Sequence, residues 1–460
     1  MTDKAVPKRR KSRAKPAEAA SDREVPRIRR SRSVRTAAPG SLDIPPPPRR
    51  PRPADIAVVG AGPTGLAVAL MLARQGRRVM VHERFATPRP VGAGFMLQPT
   101  GLHVLDGLGL TPRVEACGQR IDHIFGREAR RGRVVLDVRY SDLKHPRPAI
   151  GIHRAAMFAI LYEACVEAGV DFETDREIVA ADAGRLVDSG GRRSAPFNLV
   201  VDASGARSAI AAGMGVERRD LAWGALWTTV PWPGAPFDPT ALEQVYLGAS
   251  RMLGVLPCGT LPDAPDAPLA TFFWSLKTEI WADWHALGLA AWKEHCLRLW
   301  PELAPVLDAI TDREQMTLAS YGHQTLARPV GERLAVLGDA AHSTSPQLGQ
   351  GVNMGLLDAR ALADALIRHR DLPTALEAWA RARRWHVRLY QALSLGFTPF
   401  YQADGRLLPW VRDHVLGKVA RLPGAPRLLA ATVAGVLLDP RSPLTPGPGT
   451  ASLAARGDPA

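Results

Sequence analysis

Cysteine is scarce: Cys117, Cys165, Cys258 and Cys296 are the only four in 460 residues, and no two form a C-x-x-C pair. That excludes a disulfide framework and a cysteine zinc site, and it fits a reducing cytoplasm. No run of 18 apolar residues occurs, and the polar N-terminus lacks the apolar core of a secretion signal. Neither a membrane span nor export by that route is expected. A basic surplus is missing from most of the chain as well. The formal net charge is +14, but residues 1–53 hold 16 Lys or Arg against 5 Asp or Glu, and the remainder has 43 against 40. The body therefore gives no basis for nucleic-acid binding.

What residues 1–53 do hold is KRRKSRAK, RIRRSRSVR and IPPPPRRPRP. High charge, low hydrophobicity and a proline run cannot bury enough surface to offset chain entropy, so a disordered arm is expected. It is either an inert extension or a contact for nucleic acid or an acidic membrane surface. The last residues, 441–460, are expected to be disordered too.

From Ala54 a folded body begins. Ile56–Val59 is an apolar run entering Gly60-Ala-Gly62-Pro63-Thr64-Gly65; the apolar helical segment Leu66–Arg74 follows, and a second run, Val79–Val81, ends on Glu83. Strand, glycine turn, helix, strand and terminal acid together form a dinucleotide-binding fingerprint. Gly60 permits the tight turn, Gly62 lets backbone approach a pyrophosphate, and Gly65 lets helix and strand pack closely. The helix start supplies free N–H groups and the positive end of a dipole to the phosphates. Glu83 lies 18 residues beyond Gly65, within reach of a ribose hydroxyl.

Gly92-Ala-Gly94-Phe-Met-Leu-Gln98-Pro99 then leads into a helix over Gly101–Leu108. Arg154 precedes a helical stretch, Ala155–Ala168, where it can pair with phosphate or form a surface salt bridge. Phe197–Val201 reads as a buried strand running into Asp202-Ala-Ser204-Gly205-Ala-Arg-Ser208. Between Val216 and Arg328 the composition changes, and eight of the eleven tryptophans fall in 223–300. Ala225–Val230, Arg251–Leu256 and Leu269–Leu276 alternate as strands, with helices near Ala282–Leu299, which predicts a sheet-based domain able to wall an apolar pocket. Clustered tryptophans are more often core than ligand contacts.

The second strong signal is RLAVLGDAAHSTSPQLGQGVNMGLLDARALADAL, Arg333–Leu366. A strand, Leu334–Leu337, stops at Gly338-Asp339, and Gly349-Gln-Gly351 opens a long amphipathic helix at about Val352. An acid on a strand end beside a helix N-terminus offers one group for a polyol hydroxyl and one for developing negative charge. His342 fits equally well as a satisfied loop histidine.

In this order the motifs resemble the FAD-dependent aromatic hydroxylases of the para-hydroxybenzoate hydroxylase type, including the ubiquinone-biosynthesis hydroxylases. The resemblance implies an α/β fold: a Rossmann-like FAD-binding domain with an inserted β-sheet substrate domain and C-terminal helices. It divides the chain into a first FAD-binding part (54–215), the substrate domain (216–327), a second FAD-binding part (328–395) and C-terminal helices (396–440). It assigns FAD contacts to Gly60, Gly62, Pro63, Thr64, Gly65, Glu83, Arg84, Arg154, Asp339, Pro346, Gly349, Gly351, Val352 and Asn353. The stretch Asp202–Ser208 resembles the family motif G-A-D-G-x-x-S, which serves FAD and the reduced nicotinamide, but Ser204 replaces its acid and Asp202 stands two positions earlier.

What the resemblance implies chemically is a monooxygenase in which NADH or NADPH reduces FAD, oxygen adds at C4a, and the hydroperoxide hydroxylates an electron-rich ring. Its partners would be O2 and an aromatic, hydrophobic, phenol- or quinone-like molecule. Only one nucleotide fingerprint is present, as in the family. Tyr321 and His323, before the Asp339 strand, are the nearest candidates for a base that ionises a phenol. Ser204 keeps open an isoprenoid reductase or epoxidase; the W-x-W-x-I-P pattern of halogenases is absent. The helices beyond Trp385, over Phe397–Tyr401, Leu407–Val419 and Pro426–Leu438, either pack on the FAD domain or rest peripherally on a membrane.

Overall fold

The computed structural model describes residues 54–87, 93–405, 407–417 and 422–438. The basic arm, Gly92 and the tail 441–460 lie outside the described residues.

Strand β1 (Ile56–Val59) is apolar at every position, as a strand covered on both faces must be, and all four residues are buried. The chain turns at Gly60 into helix α1 (Pro63–Arg74), whose proline sits at the first turn, where no amide is missed. Strand β2 (Val79–His82) returns parallel to β1, with Ile56 opposite Val79. Helix α2 (Arg154–Glu167) follows a long excursion, and strand β3 (Leu199–Asp202) then joins on the other side of β1, with Ile56 opposite Leu199. Strand β4 (Leu334–Val336) lies parallel beside β3. Asp171–Glu173 and Val330–Gly331 complete a six-stranded sheet. Because the chain leaves β1 toward opposite sides, a crevice opens beyond the carboxyl ends of the central strands. Those ends carry Gly60, Glu83, Ser204-Gly205 and Gly338-Asp339.

A seven-stranded sheet stands against this unit, in the order Thr317–Gln324, Arg218–Pro231, Leu269–Lys277, Arg251–Pro257, Ala241–Leu247, His123–Glu128, Val134–Arg139. The sequence reading confined this sheet to 216–327. The last two strands instead come from within 54–215, because Ala241–Leu247 pairs in parallel with His123–Glu128 and extends the sheet. The period of two sorts its side chains. Phe272 and Trp274 face a core with Trp284, Trp292 and Trp300 from the helices Trp281–Leu287 and Leu289–Leu299. Phe273 points the other way, with Met252, Leu256 and Tyr246. Most of the tryptophans thus brace the back of the sheet, and Trp227 alone of the eight lines the cavity in front, among the described residues.

Helix α3 (Gly351–Arg368) packs along α1, and helix α4 (Leu372–Tyr401) runs for 30 residues past it. A helix separately beginning at Phe397 was expected; α4 instead continues through Pro399 to Tyr401. Leu407–Val411 and a π-helical turn, Arg412–Leu416, follow. The helix Ala425–Ala434 closes one side of the cavity, and body side chains cap its end. Tyr390, Gln350, Thr100 and His386 donate to the carbonyls of Thr432, Val433, Ala434 and Gly435. Carbonyls that a helix end leaves open are satisfied there by the protein rather than by water. No helix among the described residues is long and apolar enough to cross a membrane.

Because Trp292 belongs to the core behind the sheet, Trp292→Ala should lower the free energy of unfolding by about 3–5 kcal/mol. Urea denaturation measures that loss, and the flavin absorbance of the purified variant should be unchanged. Loss of flavin at unchanged stability would place the residue in the wrong layer.

Candidate active site

Two cavities meet inside the molecule. The first, of about 350 Å³, opens beyond the parallel sheet and is lined by Gly60–Thr64, Glu83, Arg84, Ser204-Gly205 and Asp339. The second, of about 530 Å³, lies between the seven-stranded sheet, the loop Thr344–Gln350 and the C-terminal helices. Arg154, Asp339, Gly351 and Val352 line both. The turns at Gly62 and Gly351, far apart in sequence, therefore border one continuous space.

The glycines divide their work as the fingerprint predicts. Gly60 has φ +98°, and a Cβ there would lie 2.7 Å from the Ala203 carbonyl oxygen. A Cβ on Gly65 would lie 2.0 Å from the carbonyl oxygen of Gly60, so strand and helix close up only without one. Gly62 differs: a Cβ there meets nothing within 4 Å. Its lack of a side chain relieves no crowding within the protein and leaves the cavity wall open to a ligand. Pro63 begins α1 over this wall. Thr64 packs against Gly338 and Gly355, joining α1 to β4 and α3.

Glu83 is buried, and its carboxylate accepts from the Ala61 amide (2.8 Å) and the Phe85 amide (3.2 Å). It braces the glycine turn while lining the cavity. Arg84 is exposed at the mouth, its guanidinium 4.8 Å from the Phe85 ring centre. Asp202 is fully buried and accepts from the Ser204 amide (3.0 Å), the Ser204 hydroxyl (2.6 Å) and the Ser208 hydroxyl (2.5 Å). Burial pushes its pKa up. The acid two positions early thus folds its own turn and presents Ser204 and Gly205 to the cavity.

At the junction two opposite charges face the space. Arg154 is half-buried, desolvation pushes its pKa down, and its guanidinium lies 5.4 Å from the Phe95 ring centre. Burial likewise pushes the Asp339 carboxyl up. Among the described residues neither side chain has a hydrogen bond or ion pair, although the surface of Asp339 is open to the cavity. Two opposite charges that face the same space without a hydrogen bond or ion pair to the protein suit a polar ligand between them. The N-terminus of α3 points its unpaired amides at the same place.

Behind Asp339 lies a satisfied network. The Asp358 carboxylate accepts from the Gly338 amide (3.0 Å) and Arg383 Nε (2.7 Å), and it pairs with His342 Nε2 (2.5 Å). Arg383 also donates to His386 Nδ1 (3.2 Å). Burial alone would raise Asp358, but His342 and Arg383 outweigh it and hold the carboxyl below its ordinary value. Burial opposes charge on His342 too, yet Asp358 prevails and raises its pKa. His386, pushed down to about 4 by burial, is the neutral acceptor the geometry needs. His342 is thus a satisfied histidine that fixes the Gly338-Asp339 turn.

Three expected site residues take other roles. Asn353 lines neither cavity: its Oδ1 accepts from the Gln98 amide (2.9 Å), and its Nδ2 donates to the carbonyls of Met96 (3.3 Å) and Gly349 (3.0 Å). The helical period turns it toward the strand Gly94–Leu97, which it ties to α3. Tyr321 lines the second cavity, where it accepts from Trp227 Nε1 (2.6 Å), and burial raises its pKa. His323 lines neither cavity, because its strand has by then run on to pair with Arg219, and burial lowers its pKa. Pro346 begins a single turn, Pro346–Leu348, in the second cavity wall, and Gly349 follows with φ +62°. Spacing gave no sign of Gln98, Gln244, Tyr246, Tyr401 or Gln402, which strand register and the end of α4 bring into the same wall.

Comparison with known proteins agrees with this geometry. A family model described as FAD binding domain matches residues 53–387. A 2-heptyl-3-hydroxy-4(1H)-quinolone synthase of Mycobacteroides abscessus is 30% identical over 73% of this chain and 88% of its own. A kynurenine 3-monooxygenase of Salinispora tropica is 27% identical over 82% of this chain and 90% of its own. In fold the chain is similar to HpxO of Klebsiella pneumoniae, solved with FAD and uric acid, at a TM-score of 0.70 and 20% identity over 83% of this chain and 97% of that one. The residues present fit FAD: the open wall at Gly62 would take phosphate, and Asp339, Arg154 and the start of α3 would take polar groups nearer the junction.

Gly62→Val should fold normally, since its side chain enters open space, yet weaken FAD binding roughly 100-fold, the loss of about 3 kcal/mol of contacts. Circular dichroism and flavin titration separate the two effects. The raised His342 pKa adds stability that is fully present below its ordinary value of 6.5 and lost as pH rises through the folded-state value. The melting temperature of the parent protein should therefore fall more steeply above that pH than that of His342→Gln; parallel curves would count against a charged His342.

Proposed function

This chain belongs to the family of FAD-dependent aromatic hydroxylases, and from that premise we propose that it is an NAD(P)H-consuming monooxygenase that transfers one atom of O2 to an aromatic small molecule. The observation that carries the reading is the junction, where the crevice beyond the parallel sheet runs into a largely apolar cavity past Arg154 and Asp339. FAD, when bound, supplies the redox chemistry that activates oxygen. The chain's own residues do the rest. The Gly60–Gly65 turn and the start of α1 hold the phosphates. Glu83 faces the ribose end, and Asp339 offers a carboxylate to hydroxyls of the linking chain. Arg154 and the positive end of α3 stabilise negative charge where the two cavities meet, without a proton transfer.

The second cavity supplies the dry surroundings that keep activated oxygen from being wasted. Leu242, Met252, Leu256 and Phe273 form its sheet wall, and Leu429 and Val433 its helical wall. Arg412 fixes its far end: the buried guanidinium lies 4.9 Å from the Tyr246 ring centre and 5.2 Å from that of Tyr401, and donates to the carbonyls of Phe400 and Gly248. The electron donor would approach beside Ser204 and Gly205, which line the first cavity in the stretch that resembles the family motif serving the reduced nicotinamide. The names of the relatives, a quinolone synthase and a kynurenine monooxygenase, support an aromatic substrate.

Purified protein should be yellow, and a suitable aromatic compound should accelerate NAD(P)H oxidation with one atom of labelled O2 appearing in the product. Turnover without oxygen uptake would make the protein a reductase instead.

A further inference from the structure

One row of the seven-stranded sheet is interrupted twice. Thr317, Trp227 and Phe273 are direct partners on three adjacent strands. The row continues through Gly254, Gln244 and Gly126 to Leu136 at the edge. Directly paired residues share a face, and the five that carry side chains all line the second cavity, whereas neither glycine does. Aromatic rings occupy the two gaps. A Cβ on Gly254 would stand no more than 2.7 Å from three atoms at the tip of the Phe273 ring, Cζ, Cε1 and Cε2, and one on Gly126 would stand 2.6 Å from Tyr246 Cε2. Each ring therefore lies over a glycine of the neighbouring strand instead of rising from the sheet.

A ring laid over a cross-strand glycine serves a sheet in its own right, by covering backbone that the glycine leaves bare. Two observations carry Gly254 further. The row begins near the junction: Trp227 donates to the Tyr321 hydroxyl (2.6 Å), and the charge of Arg154 acts on that phenol. From there it runs toward Gln244 and Leu136, so a substrate with its reacting ring at the junction extends across Phe273. The Phe273 ring also has little freedom elsewhere. It is 6% exposed, with the sheet beneath it and Trp227 beside it at 4.9 Å between ring centres. The side left open is the cavity that it lines.

We propose that Gly254, which does not itself line the cavity, sets the length of apolar substituent that the second cavity accepts on an aromatic substrate, because its missing side chain lets the Phe273 ring lie flat. The inference rests on reading the second cavity as the place of the aromatic substrate, and it adds what decides how far that substrate reaches. A methyl group at position 254 tips the ring into the cavity, across the path from Trp227 to Gln244. Leu242, Met252 and Leu256 flank that path on the same face, so the part of the substrate lying there is hydrocarbon.

Calorimetry on the FAD-loaded full chain, without NAD(P)H, tests this apart from turnover, with 4-alkylphenols from propyl to nonyl as probes. In the parent, affinity should rise about fourfold per methylene from propyl to heptyl, the worth of burying each one. Gly254→Ala should keep its flavin absorbance, bind 4-propylphenol within about twofold of the parent and lose at least about tenfold for 4-heptylphenol. In a Phe273→Leu background, where the side chain stops short of the ring atoms above Gly254, the same change should move neither ligand by more than about twofold. Phe273→Leu alone does not depend on whether Gly254→Ala folds, and it should shift the tightest binder toward nonyl. A parent affinity that is flat along the series, equal effects on propyl and heptyl, the same loss in both backgrounds, or an unshifted Phe273→Leu profile would each overturn the proposal. If the profile shifts as expected but no aromatic compound stimulates NAD(P)H oxidation, the monooxygenase reading fails and the role of Gly254 stands.

Discussion

Arg154 and Asp339 impose the constraint on which the rest of the structure depends. Each is ionisable, each faces the space where the two cavities meet, and neither has a hydrogen bond or ion pair among the described residues. Such an arrangement holds a polar ligand best if the ligand reaches both groups and the backbone around them cannot relax. The fold meets the second condition from several sides. Glu83 and Asp202 consume their carboxylates in bracing the turns at the ends of β2 and β3. Asp358 holds the amide before Asp339, and His342 and Arg383 hold Asp358. Of the acids that the sequence motifs singled out, Glu83 and Asp202 are bonded to the protein itself. That leaves Asp339 unspent.

How legible the site was depends on the range of the signal. The glycine turn and the Gly338-Asp339 turn are local backbone events, and their chemistry is written within a few residues. Gly60, Gly62, Gly65 and Asp339 could therefore be placed from the chain alone. Asn353 could not, because its position in the motif says nothing of which side of α3 it occupies, and the helix turns it toward Gly94–Leu97. The tryptophans misled for a similar reason. Their abundance pointed to an apolar pocket, but the alternation at Phe272, Phe273 and Trp274 puts most of them behind the sheet. The strands His123–Glu128 and Val134–Arg139 were missed as members of that sheet, since pairing with Ala241–Leu247 spans more than a hundred residues and leaves no periodic trace. Tyr321 and His323 were singled out by nearness in sequence, which register then separated. Nothing in spacing marks Gln402 at all, because only the end of α4 brings it into the cavity wall.

The same division separates what is general in this molecule from what is particular to it. The crevice side is made of backbone, with amides, glycines and a helix end that suit a nucleotide whatever the reaction. The cavity side is made of side chains drawn from the sheet, the loop after Thr344 and the last helices.

Helix α4 belongs to both sides. Arg383, near its middle, grips Asp358 behind the Gly338-Asp339 turn, and Gln402 at its tip stands in the wall of the second cavity. One uninterrupted rod thus sets the phase of two distant side chains. Adding or deleting a residue between them would swing the tip by roughly 100° about the axis. Gln402 would leave the wall while Arg383 kept its grip. A lineage of such proteins is then free to exchange side chains along the cavity but not to change the length of this helix, so new specificities should arise by substitution at constant register.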